Sequence, residues 1–260
     1  MATIASKASD PWSDIELGPA IGVPAAIGGE LTPRTLMAAY HRGLLCQPRS
    51  DPAEISRNEV AYGPDVRAGH IPVLPGPGNP YALLWWSPHD RYVIPAGRLH
   101  IGRTLRRAIR DCGWTTTVDA DFAGVMAGCR GHREPRWLTD ELIAVHDELR
   151  DQGTTRTVEV WEGSRLIGGL FGRSLGKVFI MDSAFHAKPH ASKVAIADLG
   201  ARAAQAGYAL LDAQVKTEYT VQLGAIPVPS HEYLAQLGQA DPGVIDTRAR
   251  AAYSLLGRGE

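Results

Sequence analysis

Apolar residues in this chain recur in separable blocks, and the most ordered of them runs from Arg165 to Ala225. Its pattern predicts strand, Gly turn, strand, polar crossing, helix and strand. Val178, Phe179 and Ile180 are β-branched or aromatic and follow Gly176 and Lys177, as a buried strand should. Val194, Ala195, Leu199 and Ala203 share roughly one face of a helix that Ser192 can cap and Gly207 stops. Tyr208 to Val215 reads as a further apolar strand, interrupted only by Asp212 and Gln214. Residues two apart in a strand share a face, so these two polar groups emerge side by side. A carboxylate and an amide on an apolar strand are costly unless paired. They are the first candidates for chemistry.

Upstream, Thr32 can cap a helix with Pro33 at its first position, and Leu36, Met37 and Tyr40 follow at helical spacing before Gly43. From Ser50 to Pro80 the chain is polar, rich in Pro and Gly, and aperiodic, which predicts a long surface loop. Trp85 and Trp86 are adjacent, so in an extended segment one can enter the core while the other offers a stacking face. Ile101, Leu105 and Ile109 recur every four residues, with Arg103, Arg106, Arg107 and Arg110 on the opposite side. A second basic cluster holds Arg130, His132, Arg133 and Arg136. Thr139 can cap a helix running through Arg150 with Leu142, Val145, His146 and Leu149 inside, and Gly153 ends it. Thr157 to Trp161 alternates as a strand and turns at Glu162-Gly163.

Composition narrows the classes. With 260 residues, 44% apolar and 21% charged, the chain reads as an ordinary globular protein. No apolar run approaches the roughly 18 residues a membrane span needs, and no signal core opens the chain, so a cytoplasmic protein is expected. Cys46, Cys112 and Cys129 form no paired motif, which argues against a zinc site or a disulfide framework. A net charge of −1 announces no nucleic-acid binder, so any such role must rest on the local Arg clusters.

Five blocks, taken together, carry a resemblance. They are Gly168-Gly169-Leu170-Phe171-Gly172, Met181-Asp182-Ser183-Ala184-Phe185, Ala191-Ser192-Lys193, Asp212-Ala213-Gln214 and Gln222-Leu223-Gly224-Ala225. Leu83 to Pro88, Trp137-Leu138-Thr139 and Gly28 to Pro33 add to them. In order and spacing they resemble the leucyl/phenylalanyl-tRNA–protein transferase family, with Gly168-Gly169-Leu170-Phe171-Gly172 matching the family's hairpin block. The resemblance implies an α+β protein: a small N-terminal domain over residues 1–95, and a GCN5-related N-acetyltransferase-like domain over residues 96–260 with a central mixed sheet flanked by helices. It makes residues 47–80 an insertion and the residues after Gly238 a C-terminal extension.

The same resemblance implies an aminoacyl-tRNA-dependent aminoacyltransferase. Such an enzyme forms an amide between the aminoacyl group of a charged tRNA and an amine acceptor, with no cofactor or metal, and a monomer is expected. An aminoacyl ester is already activated, so orientation, proton collection and oxyanion stabilisation suffice. Asp212, Gln214 and Asp182 are the expected catalytic groups, Asp182 standing where the family has Glu. Trp85 or Trp86 together with Trp137 would hold the terminal adenosine. Ser183, Ala184, Leu170, Leu199 and Ala203 would line the aminoacyl pocket, and Arg103, Arg106, Arg107, Arg110, Arg130 and Arg133 would grip the acceptor stem. Ala184, Leu199 and Ala203 are smaller or less aromatic than the family's pocket residues, and Asp198 adds a charge beside them. The expectation is therefore a divergent member using another amino acid or a small-molecule amine in specialised metabolism. The alternatives are orthodox leucyl/phenylalanyl transfer to N-terminal Arg or Lys of proteins, an acyl-CoA N-acyltransferase, and a non-catalytic tRNA-binding relative.

Overall fold

The computed structural model describes residues 10, 12–13, 15, 22–131, 137–240 and 242–256. His132, Arg133 and Arg136 of the second basic cluster, and most of the first 21 residues, lie outside them. The chain divides into two compact units, one drawn from residues 1–89 and 135–145, the other from 90–134 and 146–260.

The first unit carries β1 (Ala26–Gly28), α1 (Pro33–His41), β2 (Leu45–Pro48), α2 (Pro52–Arg67), β3 (Val73–Leu74) and β4 (Leu83–Trp86). Its four strands lie in the order β2-β4-β1-β3. Helix α1 starts as its sequence predicts, with the Thr32 hydroxyl accepting from the Thr35 amide at 3.1 Å and Pro33 at the first position. The stretch expected to be a structureless loop is instead mostly helix. Its apolar residues do not line one face, since only Glu54 and Gly63 of α2 are buried and Val60 is 81% exposed, so no hydrophobic stripe announced it. Local chemistry holds it: Asp51 caps Ala53, Pro52 opens the helix, Asn58 donates to the Tyr81 carbonyl at 3.0 Å, and Tyr62 meets Trp86 edge-on.

The remaining elements, in chain order, are β5 (Asp90–Pro95), α3 (Arg103–Asp111), β6 (Thr115–Val118), α4 (Phe122–Arg130), α5 (Asp140–Asp151), β7 (Thr155–Glu162) and β8 (Arg165–Leu175). They continue with β9 (Val178–His186), α6 (Ala191–Ala206), β10 (Leu210–Asp212), α7 (Glu218–Gln222), β11 (Ile226–Pro229), α8 (Ser230–Leu237) and β12 (Arg250–Ala251). Eight strands form one mixed sheet in the order β11-β5-β10-β9-β8-β7-β6-β12, and neighbours run antiparallel except β9 and β10. Leu105 and Ile109 of α3 are buried, and so are Leu142, Val145, His146 and Leu149 of α5, as their spacing predicts.

Two local expectations change. The glycines of the Gly168–Gly172 block lie inside β8, and the hairpin turns at Gly176, where φ is +51°. They are glycines because neighbours press on the strand: a Cβ at Gly168 would lie 2.5 Å from the Ala191 Cβ, and one at Gly172 would collide with the Ile180 carbonyl. Ser192 does not cap α6. His190 occupies that position without a side-chain bond, while the Ser192 hydroxyl lies 3.4 Å from His186 Nδ1 and Tyr219 Oη. The residues after Gly238, expected as an extension, are packed: β12 closes the sheet beside β6, with Ile245 and Ala252 buried in the core.

The tail is tied to α6 through Arg202, which a buried ion pair within the helix holds. Asp198 and Arg202 are fully buried, with Arg202 Nε 2.6 Å from Asp198 Oδ2. The guanidinium also donates to the carbonyls of Asp246 and Arg248. Arg202→Ala strands the buried carboxylate and should cost about 3–5 kcal/mol in urea unfolding. The double variant Asp198→Leu/Arg202→Met should lose less, since it leaves no charge behind.

Candidate active site

Two strands and the turn beyond one of them gather the polar groups. Strand β10 pairs in parallel with β9 only through Leu210↔Val178, Leu211↔Phe179 and Asp212↔Ile180. There β10 ends and β9 runs on. Gln214 therefore does not share a strand face with Asp212, as expected from sequence. It sits just beyond the strand with φ +65°, and the turn aims its backbone N–H at Asp212 Oδ1, 2.7 Å away. On β9, Phe171 opposes Ser183 and Gly172 opposes Met181, so Asp182 is the extra residue of a β-bulge. A bulge redirects side chains.

These features produce one buried network. Asp212 is fully buried, and its Oδ2 accepts from Tyr233 Oη at 2.7 Å and pairs with Arg91 Nη2 at 2.9 Å. The Gln214 Nε2 donates to the Met181 carbonyl at 3.0 Å and to Asp182 Oδ1 at 3.2 Å. Both acceptors fix the amide orientation and direct Oε1 the other way. Asp182 Oδ1 also meets Arg173 Nη2 at 2.5 Å, with the two side chains only 4% and 1% exposed. Its Oδ2 is buried and has no hydrogen-bond partner.

The electrostatics follow from burial. Asp182 is pushed up to about 6, because desolvation, with the Asp212 charge adding to it, outweighs the Arg173 guanidinium. His146 is held well below its ordinary value by burial and by Arg173. Arg173 can only donate, so the neutral ring accepts at Nε2, 3.5 Å away, and its Nδ1 proton bonds Thr155 Oγ1 at 3.1 Å. Burial and the Asp212 charge keep the Tyr233 phenol protonated, able to donate.

Residues 93–238 match the family model described as leucyl/phenylalanyl-tRNA protein transferase. A leucyl/phenylalanyl-tRNA–protein transferase from Shewanella baltica is 34% identical over 224 residues, covering 85% of this chain and 82% of that protein. The chain belongs to this family. One from Proteus mirabilis is 34% identical over 230 residues, 88% of this chain and 87% of its own, and one from Jannaschia sp. is 39% identical over 173 residues, 66% and 81%. Among solved structures, that of L-PGS from Bacillus licheniformis aligns with 60% of this chain and 58% of its own at 11% identity and TM-score 0.34, too low to bear on the fold. As a leucyl/phenylalanyl-tRNA–protein transferase family member, the chain is an aminoacyl-tRNA-dependent aminoacyltransferase.

The structure brings Asp182, Asp212 and Gln214 together in the second unit and leaves other predicted residues elsewhere. Trp85, Trp86 and Trp137 belong to the first unit. Trp85 is fully buried, with Nε1 donating to the Gly28 carbonyl at 2.9 Å and the ring edge-on to Trp12, so it is a core residue. Trp86 and Trp137 are half-buried. Leu170, Leu199 and Ala203 are sealed in the core, while Ser183 and Ala184 are half-buried on β9. Asp198 is fully buried and paired with Arg202. Arg103, Arg106, Arg107 and Arg110 are exposed along α3, and Arg130 closes α4. Sequence reasoning missed Arg91, Tyr233, Arg173 and His146. Arg173 carried a signal, being a lone cation inside the apolar strand that follows Leu170-Phe171-Gly172, which calls for a buried anion.

The raised Asp182 carboxyl has a consequence for stability. Between its ordinary value of 3.8 and about 6, the unfolded chain releases a proton that the folded chain keeps, so this group makes stability fall as pH rises through that window. In isotope-edited infrared titration one carboxyl should ionise near pH 6 and vanish in Asp182→Asn. The stability difference between variant and wild type should move in the variant's favour from pH 4 to pH 6.

Proposed function

We propose that this chain transfers the leucyl or phenylalanyl group of a charged tRNA to the N-terminal amine of a protein bearing Arg or Lys. What carries the reading is identity of 34% across more than four-fifths of both chains to proteins named leucyl/phenylalanyl-tRNA–protein transferases. The Arg or Lys terminus is what the family resemblance adds. The departure toward another amino acid, or a small-molecule amine, finds no support in these comparisons. Two of its premises were pocket changes at Leu199 and Ala203, residues that are buried in the core, and a third was a charge at Asp198, which is paired to Arg202.

The chemistry follows from the network. Gln214 Oε1 accepts an N–H of the attacking amine and aligns its lone pair on the ester carbonyl. As the amide C–N bond forms, the ester C–O bond breaks, and the tRNA's terminal ribose oxygen leaves as a hydroxyl with the proton the amine gives up. Asp212 acts through Gln214: held by Arg91 and Tyr233, it grips the Gln214 backbone N–H and fixes the turn that carries the amide. Asp182 Oδ2, buried and unpartnered, takes a substrate ammonium, while Arg173 and Gln214 hold its other oxygen. In the first unit the half-buried Trp86 and Trp137 offer rings on which a base can stack, and in the second the exposed arginines of α3 offer contacts to acceptor-stem phosphates. The parallel β9–β10 junction in an otherwise antiparallel sheet supports a GCN5-related N-acetyltransferase-like second unit.

Single-turnover assays over a panel of charged tRNAs test this reading. Leu-tRNA and Phe-tRNA should be consumed only when a peptide with N-terminal Arg is present. Consumption of a different aminoacyl-tRNA, indifferent to the peptide, would sink the proposal. Gln214→Ala should lower kcat/KM about 10²–10³-fold, the scale of a lost preorganised polar contact. Wild-type kcat/KM should rise with pH as Asp182 ionises near about 6, and that limb should disappear in Asp182→Asn.

A further inference from the structure

We infer that His146 is a positioning residue for the transfer: by holding one end of the Arg173 guanidinium, it leaves Asp182 an open carboxylate oxygen for the substrate ammonium. The assignment rests on the transferase reading and adds to it two residues, His146 and Thr155, that the chemistry above does not use. Helix α5 buries Leu142, Val145, His146 and Leu149. Three of the four are aliphatic, and a leucine in place of the histidine would continue the stripe. A buried imidazole is costly unless its polar atoms are bonded, and both nitrogens have partners. Nδ1 bonds Thr155 Oγ1 at 3.1 Å, and Nε2 faces Arg173 Nη1 at 3.5 Å.

The sheet fixes the ring. Thr155 on β7 and Arg173 on β8 are register partners, so their side chains stand on one face. Phe171, two residues before Arg173, shares that face and meets the imidazole edge-on, with centroids 5.0 Å apart. The Thr155 hydroxyl takes the Nδ1 proton, which leaves Nε2 an acceptor. A neutral acceptor is what Arg173 requires here. A carboxylate at this position would compete with Asp182 for the guanidinium, and a protonated ring would set N–H against N–H. Burial and the Arg173 charge keep the ring neutral.

The consequence falls on Asp182. A guanidinium is planar and commonly grips a carboxylate with two parallel N–H bonds. Here it grips with one. Nη2 meets Asp182 Oδ1 at 2.5 Å, Nη1 lies against His146, and Asp182 Oδ2 has no hydrogen-bond partner. Because the group is rigid, holding Nη1 sets the direction of Nη2. With Nη1 released, the guanidinium can turn onto both oxygens and close the position an ammonium needs. A two-ended grip also favours the charged carboxylate, so the same change makes Asp182 more acidic and the enzyme slower. A histidine that only filled space would link neither property to its hydrogen bonds.

The test reads Asp182 directly. In isotope-edited infrared titration of the protein alone, His146→Leu should move the carboxyl that ionises at about 6 to lower pH, because a second N–H bonds its charged form. The other charges bearing on Asp182, those of Asp212 and Arg91, are untouched by the change. In turnover, kcat/KM should fall about 10²-fold, the scale of a misplaced reacting group, and its pH limb should move down with the carboxyl. His146→Gln, whose amide can accept from Arg173 and donate to Thr155, should restore both. Thr155→Val keeps the ring but unlocks its tautomer, and it serves if His146→Leu melts early: it should shift the carboxyl the same way. A carboxyl that stays at its wild-type pH in both His146→Leu and Thr155→Val would overturn the inference. So would losses in His146→Gln equal to those in His146→Leu. The expected carboxyl shifts, with a wild type that consumes no charged tRNA, would keep the hold of His146 on Arg173 and defeat the transferase reading instead.

Discussion

The second unit depends on a balance of buried charge. Arg91 and Arg173 face Asp212 and Asp182, and Gln214 bridges the two pairs through its backbone N–H and its side-chain amide. Neither pair is a net source of stability, since desolvating four charges costs about what their attraction returns. What the arrangement supplies is position. Removing any one charge leaves its partner stranded in the core, so the geometry around Gln214 has few alternatives. The asymmetry lies at Asp182, where one oxygen carries two partners and the other carries none.

The scaffold explains how such a network exists inside a sheet. β10 stops at Asp212 while β9 continues, so the parallel ladder ends where the buried polar network begins. A left-handed Gln214 bends the chain back toward β9, and the bulge at Asp182 advances that side chain to meet it. The β8 glycines let neighbouring chain come close: Gly168 gives room to Ala191 at the start of α6, and Gly172 to the Ile180 carbonyl beside the bulge. Close approach, rather than turning, is why these positions are glycine.

Much of this was legible in the sequence, and what escaped did so for physical reasons. Periodicity found α1, α3 and α5 because each buries a stripe. It missed α2 because that helix buries almost none of its own side chains and relies on a cap, a proline and polar contacts. Asp212 and Gln214 stood out as polar residues in an apolar run, and they do share the site. Their route to it is different, because a strand pleat and a left-handed turn can place two residues side by side equally well, and only the φ of Gln214 separates them. Arg91 and Tyr233 were invisible, since they reach Asp212 from elements distant in the chain.

The tail illustrates the same limit. Residues after Gly238 carry no strong pattern, yet their carbonyls satisfy a buried arginine, and two of their residues complete the sheet edge. A backbone carbonyl is available at every residue, so sequence cannot reveal which one a distant guanidinium will choose. The buried Asp198–Arg202 pair could have announced the need for such acceptors. A lone aspartate in an alanine-rich helix, four residues before an arginine, reads equally as a solvated surface pair until burial is known. Here burial decides the meaning. The charge that suggested an altered substrate pocket instead holds Arg202, whose guanidinium binds the Asp246 and Arg248 carbonyls, and with that the case for a changed substrate loses one of its premises.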